Sequence, residues 1–110
     1  MTIEALVQAV QTALDETERE YAQMPFFIRP MIRRGFVKRT GQDFAGWREL
    51  LRMPDARLKA ALPALAEHYR GAPQRARRGM GATAAQLEIV EARSKQRAEA
   101  VAALAAALST

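Results

Sequence analysis

The chain contains no cysteine and only one histidine, and these absences exclude several kinds of site. Without cysteine, the protein has no disulfide, thiolate zinc site, iron–sulfur cluster or cysteine nucleophile. A metal site at His68 would need carboxylates beside it, and its neighbour Glu67 cannot share a helix face with it. We therefore expect no metal centre, and we interpret His68 as a surface residue near the C-terminal end of a helix.

Long apolar runs and catalytic motifs are also missing. The longest apolar run, residues 100–108, is far below the roughly 20 residues that span a bilayer. No P-loop, dinucleotide-binding glycine motif or nucleophile elbow occurs, and the acids at 15, 16, 18 and 20 have no basic or nucleophilic complement. The sequence therefore predicts a non-catalytic protein without a cofactor, and we expect it in the cytoplasm.

The composition is that of one small globular domain, with 49% hydrophobic and 26% charged residues in 110. Apolar residues recur at helical spacing and nowhere alternate as in a strand. The predicted fold is an all-α, single-domain bundle of about five helices, over residues 3–22, 30–40, 43–52, 54–70 and 83–108. A long, flexible basic loop is predicted at 71–82, because it contains four glycines or prolines.

Local signals predict several helix ends. Thr2 and Asp43 are expected to cap helices at their N-termini, and Gly41 suits a C′ position. Thr83 with Gln86 has the spacing of a capping box. Trp47 is expected in the core.

Polar residues interrupt the apolar stripe of the last predicted helix. Ser94 and Arg97 occupy positions where the stripe requires apolar side chains. Either the stripe is rotated and uses Ala98 and Ala105, or the middle turns meet solvent, a polar groove or a partner. The same stripe could pair with a second copy of the chain, so a homo-oligomer is possible through this helix.

Basic residues are concentrated in two windows without acids, residues 24–39 and 68–87. The windows carry nine positive charges, whereas the rest of the chain has a net charge of −4. Segregated charge of this kind indicates an anionic or acidic partner. The acidic end of the first helix precedes the first window, so we expect part of that positive charge to be neutralised within the protein. Whether the two windows adjoin is left open.

Aromatic and aliphatic residues alternate with the arginines of the first window, which allows several interpretations. The surface could dock on an acidic protein, bind nucleic-acid phosphates with stacked bases, or lie on an anionic membrane. Alternatively, the Phe and Ile side chains form core and the arginines a solvated face. The leading prediction is an accessory or adaptor protein that docks on an acidic partner, with nucleic-acid binding as the alternative. The candidate partner-binding residues are Phe26, Phe27, Arg29, Arg33, Arg34, Lys38, Arg39, Arg75, Arg77 and Arg78.

The sequence MPFFIRPMIRR, residues 24–34, resembles the start of the small C-terminal helical domain in the B subunit of light-independent protochlorophyllide reductase. In that family an apolar-Pro-Phe-Phe-Val-Arg run leads into a basic helix. The resemblance implies helical packing around Phe26 and Phe27, with Arg29, Arg33 and Arg34 as the matched basic positions. It also implies association with a nitrogenase-like reductase or a tetrapyrrole enzyme.

Overall fold

Five helices make up the secondary structure of the residues that the structure describes. The computed structural model describes residues 1–79 and 81–110, and no strand occurs within them. The helices are α1 (Ile3–Ala22), α2 (Arg29–Thr40), α3 (Phe44–Arg52), α4 (Ala56–Arg78) and α5 (Ala84–Leu108). The predicted all-α, single-domain class is thus confirmed. Within the described ranges, no helix combines the length and apolar content needed to cross a bilayer.

Side-chain caps begin four of the helices. The Thr2 hydroxyl accepts from Ala5 N, the Asp43 carboxylate accepts from Gly46 N, and Thr83 with Gln86 completes a capping box. Gly41 ends α2 with a φ of 86°, a left-handed conformation that favours glycine. These predictions are confirmed. The helix predicted from residue 54 starts two residues later, because the Asp55 carboxylate caps α4 by accepting from two backbone N–H groups.

The predicted end of α4 is wrong. We expected a helix over 54–70 and a flexible loop over 71–82, but α4 continues through Gly71 and Pro73 to Arg78. Residue 80, within the predicted loop, lies outside the described residues. The longer helix packs along α5, and Arg77 forms an ion pair with Glu91 of α5. Tertiary contacts thus outweigh the helix-breaking tendency of glycine and proline.

The core lies where α4 and α5 pack together and is closed by the other three helices. Helix α1 packs against α5, whereas α2 packs mainly against α4. Ser94, Ala98 and Val101 of α5 are buried in this packing. The apolar stripe of α5 therefore packs against other helices of the same chain. The fully buried large side chains are Trp47, Phe36, Leu14, Leu58, Leu62, Leu65, Leu104, Val10 and Val101.

An aromatic cluster joins α1, α2 and α3. The rings of Phe36 and Phe44 are stacked, with centroids 4.3 Å apart, and Tyr21 packs edge-on against both. This cluster fills the space between α1, α2 and α3. The residues that precede α2 are therefore left outside the core.

Candidate docking surface and arginine cluster

The turn between α1 and α2 presents two phenylalanines to solvent. Phe26 is 77% exposed and Phe27 is 71% exposed, and their rings pack edge to face with centroids 5.9 Å apart. The turn is held by Arg29, whose Nε donates to the carbonyl oxygen of Met24 at 2.7 Å. The packing around Phe26 and Phe27 that the resemblance implied is therefore absent here. Phe36, ten residues further on, is the first-window aromatic that enters the core.

Helix α2 carries five cations, and none forms an ion pair with a carboxylate in the described part of the chain. Arg33, Arg34 and Lys38 are exposed, as is the apolar side chain of Met31. A surface charge that forms no ion pair keeps most of its attraction for an external anion. We call Phe26, Phe27, Met31, Arg33, Arg34 and Lys38 the basic-aromatic surface.

The acids of α1 are neutralised from elsewhere, which corrects the expectation that the first basic window would do so. Arg48 of α3 contacts Asp15 at 3.0 Å and Glu18 at 2.5 Å. Arg97 of α5 donates two hydrogen bonds to Glu20, at 3.0 and 2.5 Å. The polar middle of α5 therefore meets a polar groove on α1, one of the alternatives left open above. The positive charges of α2 therefore form no ion pair with these acids.

The ion pair between Glu20 and Arg97 should contribute measurably to stability. The Arg97 side chain is only 11% exposed, so Glu20→Gln would leave a mostly buried guanidinium with only the exposed Glu16, at 3.4 Å, as a charge partner. We expect the free energy of unfolding to fall by about 1–3 kcal/mol, as measured by urea denaturation. Glu99→Gln, at an exposed site of α5 without an ion pair in the described residues, is the matched control. An equal loss in both variants would contradict the prediction.

The second basic window is used largely within the protein. Arg70 pairs with Glu67 at 2.7 Å, and Arg77 pairs with Glu91. Arg78 is exposed and has no ion pair within residues 1–79 and 81–110, whereas Arg75 is half-buried against His68. Of the candidate residues on α4, Arg77 is thus engaged in holding α4 to α5, and only Arg75 and Arg78 keep an uncompensated charge.

The two basic windows meet at His68. The Nε of Arg39 lies 3.1 Å from Nδ1 of His68, and Nη2 of Arg75 lies 3.4 Å from the same atom. Nη2 of Arg75 also donates to the backbone carbonyl of His68 at 2.7 Å. His68 itself is 4% exposed, so its interpretation as a surface residue is wrong. A sequence signal did exist, since His68 follows Leu65 by three residues on the apolar stripe of α4.

Burial lowers the pKa of His68 to about 3, and the charges of Arg75 and Arg39 add to the effect. The imidazole is therefore neutral at pH 7, with Nδ1 as the acceptor for Arg39 and the proton on Nε2. Such a ring is a poor general base near neutral pH, because its pKa lies far from the operating pH. Its role in this geometry is to hold two guanidinium groups.

A small cavity lies beside this cluster, between α1, α4 and α5. Its volume is about 110 Å³, and Tyr21, His68, Tyr69 and Arg75 line it together with Arg97. The hydroxyls of Tyr69 and Thr17 are 2.8 Å apart. Burial raises the pKa of Tyr21, and the nearby charges of Arg39 and Arg75 partly offset that rise. The Glu20 carboxylate also lines the cavity, so its wall carries charges of both signs beside neutral hydrogen-bonding groups.

No group of three or more His, Asp or Glu side chains in the described ranges has the arrangement of a metal site. The fold and surface define an all-α, single-domain protein with an exposed basic-aromatic surface and an arginine cluster around the buried His68. No protein-family model, curated protein or solved structure matches the chain. Functional inference therefore depends on the geometry of these two sites.

Proposed function

We propose that the protein is a non-catalytic accessory or adaptor protein that docks on an acidic partner through the basic-aromatic surface. The observation that carries this proposal is the placement of two phenyl rings, each more than 70% exposed, beside cations of α2 that have no carboxylate partner in the described residues. Exposed large apolar side chains in a contiguous group mark interaction sites. Aromatic residues, methionine and arginine are enriched in the cores of protein–protein interfaces.

The extent of the surface favours a protein over a nucleic acid. The uncompensated charge is concentrated on α2, which is only about 18 Å long at 1.5 Å per residue. Two arginines of the second window are paired with glutamates, so they add little to an extended phosphate-binding track. A partner with an apolar pocket for Phe26 and Phe27, surrounded by carboxylates, would match this surface.

The docking proposal predicts that charge reversal on α2 weakens partner binding without destabilising the fold. The partner would be isolated by co-purification from the native organism, and its affinity would then be measured with purified proteins. We expect Arg33→Glu with Arg34→Glu to weaken binding by about 30-fold or more, as is typical when interface anchors are lost. Phe26→Ser with Phe27→Ser should have a similar effect, and the circular dichroism melt should be unchanged in both.

A matched control separates specific docking from a general charge effect. Lys59 and Lys95 are exposed, lie outside the surface and have no ion pair in the part of the chain that the structure describes. Lys59→Glu with Lys95→Glu changes the net charge equally and should leave affinity nearly unchanged. Equal losses in the two double variants, or no loss in either, would overturn the proposal.

Nucleic-acid binding is the second candidate, because an exposed Phe26 ring next to cations could stack on an unpaired base. It would appear as oligonucleotide binding that weakens steeply between about 50 and 200 mM salt, with a log–log slope of about 0.7–0.9 per neutralised phosphate. Such a result would replace the docking proposal. Given the resemblance of residues 24–34, a nitrogenase-like reductase is the first specific protein partner to test.

A further inference from the structure

The arginine cluster at His68 brings two positive charges together without a carboxylate partner in the described residues. The guanidinium groups of Arg39 and Arg75 approach the same imidazole nitrogen, at 3.1 and 3.4 Å. Neither forms an ion pair with a carboxylate among residues 1–79 and 81–110. Arg75 is half-buried and Arg39 is exposed. Like charges repel each other more strongly where one of them is partly removed from water. The pKa of Arg75 is lowered by burial first and by Arg39 second, which reflects this uncompensated charge.

His68 orients the two guanidinium groups without neutralising them. It accepts from Nε of Arg39 and, through its carbonyl, from Nη2 of Arg75 at 2.7 Å. Because the ring is neutral, it removes none of the positive charge. Each guanidinium also keeps N–H groups that His68 does not use, since arginine has five donors in a fixed fork.

Two glycines make room for these guanidinium groups. A Cβ atom at Gly35 would lie 3.0 Å from Nη1 of Arg39, and one at Gly71 would lie 2.8 Å from Nη1 of Arg75. Each arginine therefore lies against its own helix, one turn from its Cα, at a place where a larger residue would displace it. The position of both groups depends on residues from α2 and α4 together.

We propose that Arg39 and Arg75 form a binding site for a phosphate group, either inorganic phosphate or a phosphate monoester, where α2 packs against α4. A phosphate carries a charge of about −1.5 to −2 at pH 7, which would neutralise both guanidinium groups, whereas a carboxylate would neutralise one. Its oxygens can accept hydrogen bonds from both guanidinium groups. Arginine is favoured at phosphate sites because its planar donors form such paired hydrogen bonds. Tyr21, beside both arginines, supplies a neutral hydroxyl donor at the neighbouring cavity.

The test is isothermal titration calorimetry of the full chain with inorganic phosphate and, separately, with O-phosphoserine, at constant ionic strength set with sodium chloride. We expect one site per chain, and a loss of at least tenfold in affinity for both Arg39→Gln and Arg75→Gln. Arg34→Gln removes an exposed α2 cation outside the cluster and should change the affinity less than twofold. Tighter binding of O-phosphoserine than of phosphate would identify a phosphorylated molecule as the ligand, and the reverse would identify free phosphate.

Gly71→Ala tests the geometry while keeping every charge. The added Cβ would push the Arg75 guanidinium away, so phosphate affinity should fall although the net charge and the cation count are unchanged. Because the displaced atom is the end of a flexible side chain and alanine favours helix, the melting temperature should not fall. Unaltered affinity in this variant, or equal losses for Arg34→Gln and Arg75→Gln, would show diffuse attraction and overturn the proposal.

This inference is independent of the docking proposal. Phe26→Ser with Phe27→Ser should bind phosphate as the wild type does, because both rings lie outside the cluster. Failure of partner docking and failure of the phosphate site are thus separate outcomes.

Discussion

Replacing Trp47 by alanine should lower the free energy of unfolding by about 3–5 kcal/mol, the cost typical of removing a buried aromatic side chain. Trp47 is 0% exposed in the core, and its indole Nε1 donates to the hydroxyl of Thr40 at 3.0 Å. The substitution would therefore leave a cavity and break the link between the end of α2 and α3. Because Trp47 is the sole tryptophan, unfolding in urea should be followed by far-ultraviolet circular dichroism.

Trp47→Phe separates the contribution of ring packing to the free energy of unfolding from that of the indole hydrogen bond. The Thr40 hydroxyl also donates to the carbonyl of Gln42 at 2.9 Å, so it keeps a partner when the indole is removed. We expect this variant to lose about 1–2 kcal/mol, since part of the ring volume remains. A loss below about 1 kcal/mol for Trp47→Ala would contradict the packing described for α3.

The second large effect is a loss of stability in mild acid that originates at His68. Its pKa is about 3 in the folded protein, against 6.5 for an ordinary histidine. Between these values the unfolded chain binds more protons than the folded chain, so stability falls as the pH falls from 6.5 toward 3. The limiting slope is about 1.4 kcal/mol per pH unit, and the total approaches about 4–5 kcal/mol.

Urea denaturation between pH 7 and 4.5, in buffers free of phosphate, would measure this effect. The carboxylates add their own acid sensitivity at lower pH, because the Arg48 hydrogen bond helps to lower the pKa of Asp15 below its ordinary value of 3.8. His68→Gln keeps an acceptor for Arg39 and removes the titration, so its stability should change little over that range. A wild-type protein equally stable at pH 7 and 4.5 would show that His68 is not held neutral by burial.

The parts of the fold that could be predicted from sequence are those decided by neighbouring residues. Thr2, Asp43 and the Thr83–Gln86 pair bond to backbone N–H groups within three residues, so their spacing alone identifies a helix start. The extension of α4 through Gly71 and Pro73 could not be predicted in this way. It depends on packing against α5, including the Arg77–Glu91 ion pair, which the local pattern of residues 71–82 does not show.

The candidate site also has one part that consecutive residues predict and another that only the folded structure shows. The basic character of α2 is a property of consecutive residues and is visible in the sequence. Whether a cation forms an ion pair depends on which acid the neighbouring helix brings close to it. The pairing of Arg77 with Glu91 could therefore not be predicted from the sequence of residues 68–87. The convergence of Arg39 and Arg75 on His68 spans three separate turns of two helices, and only the folded structure brings them together.

The absence of carboxylate partners around α2 in the described chain also has a kinetic consequence for docking. Charges that are not paired internally attract an acidic partner over about 8 Å, the screening length at physiological ionic strength, and so raise the rate of encounter. Phe26 and Phe27 act only at contact, so they would govern how long the complex lasts. Added salt should therefore slow association with little effect on dissociation. Loss of the two rings should instead speed dissociation with little effect on association.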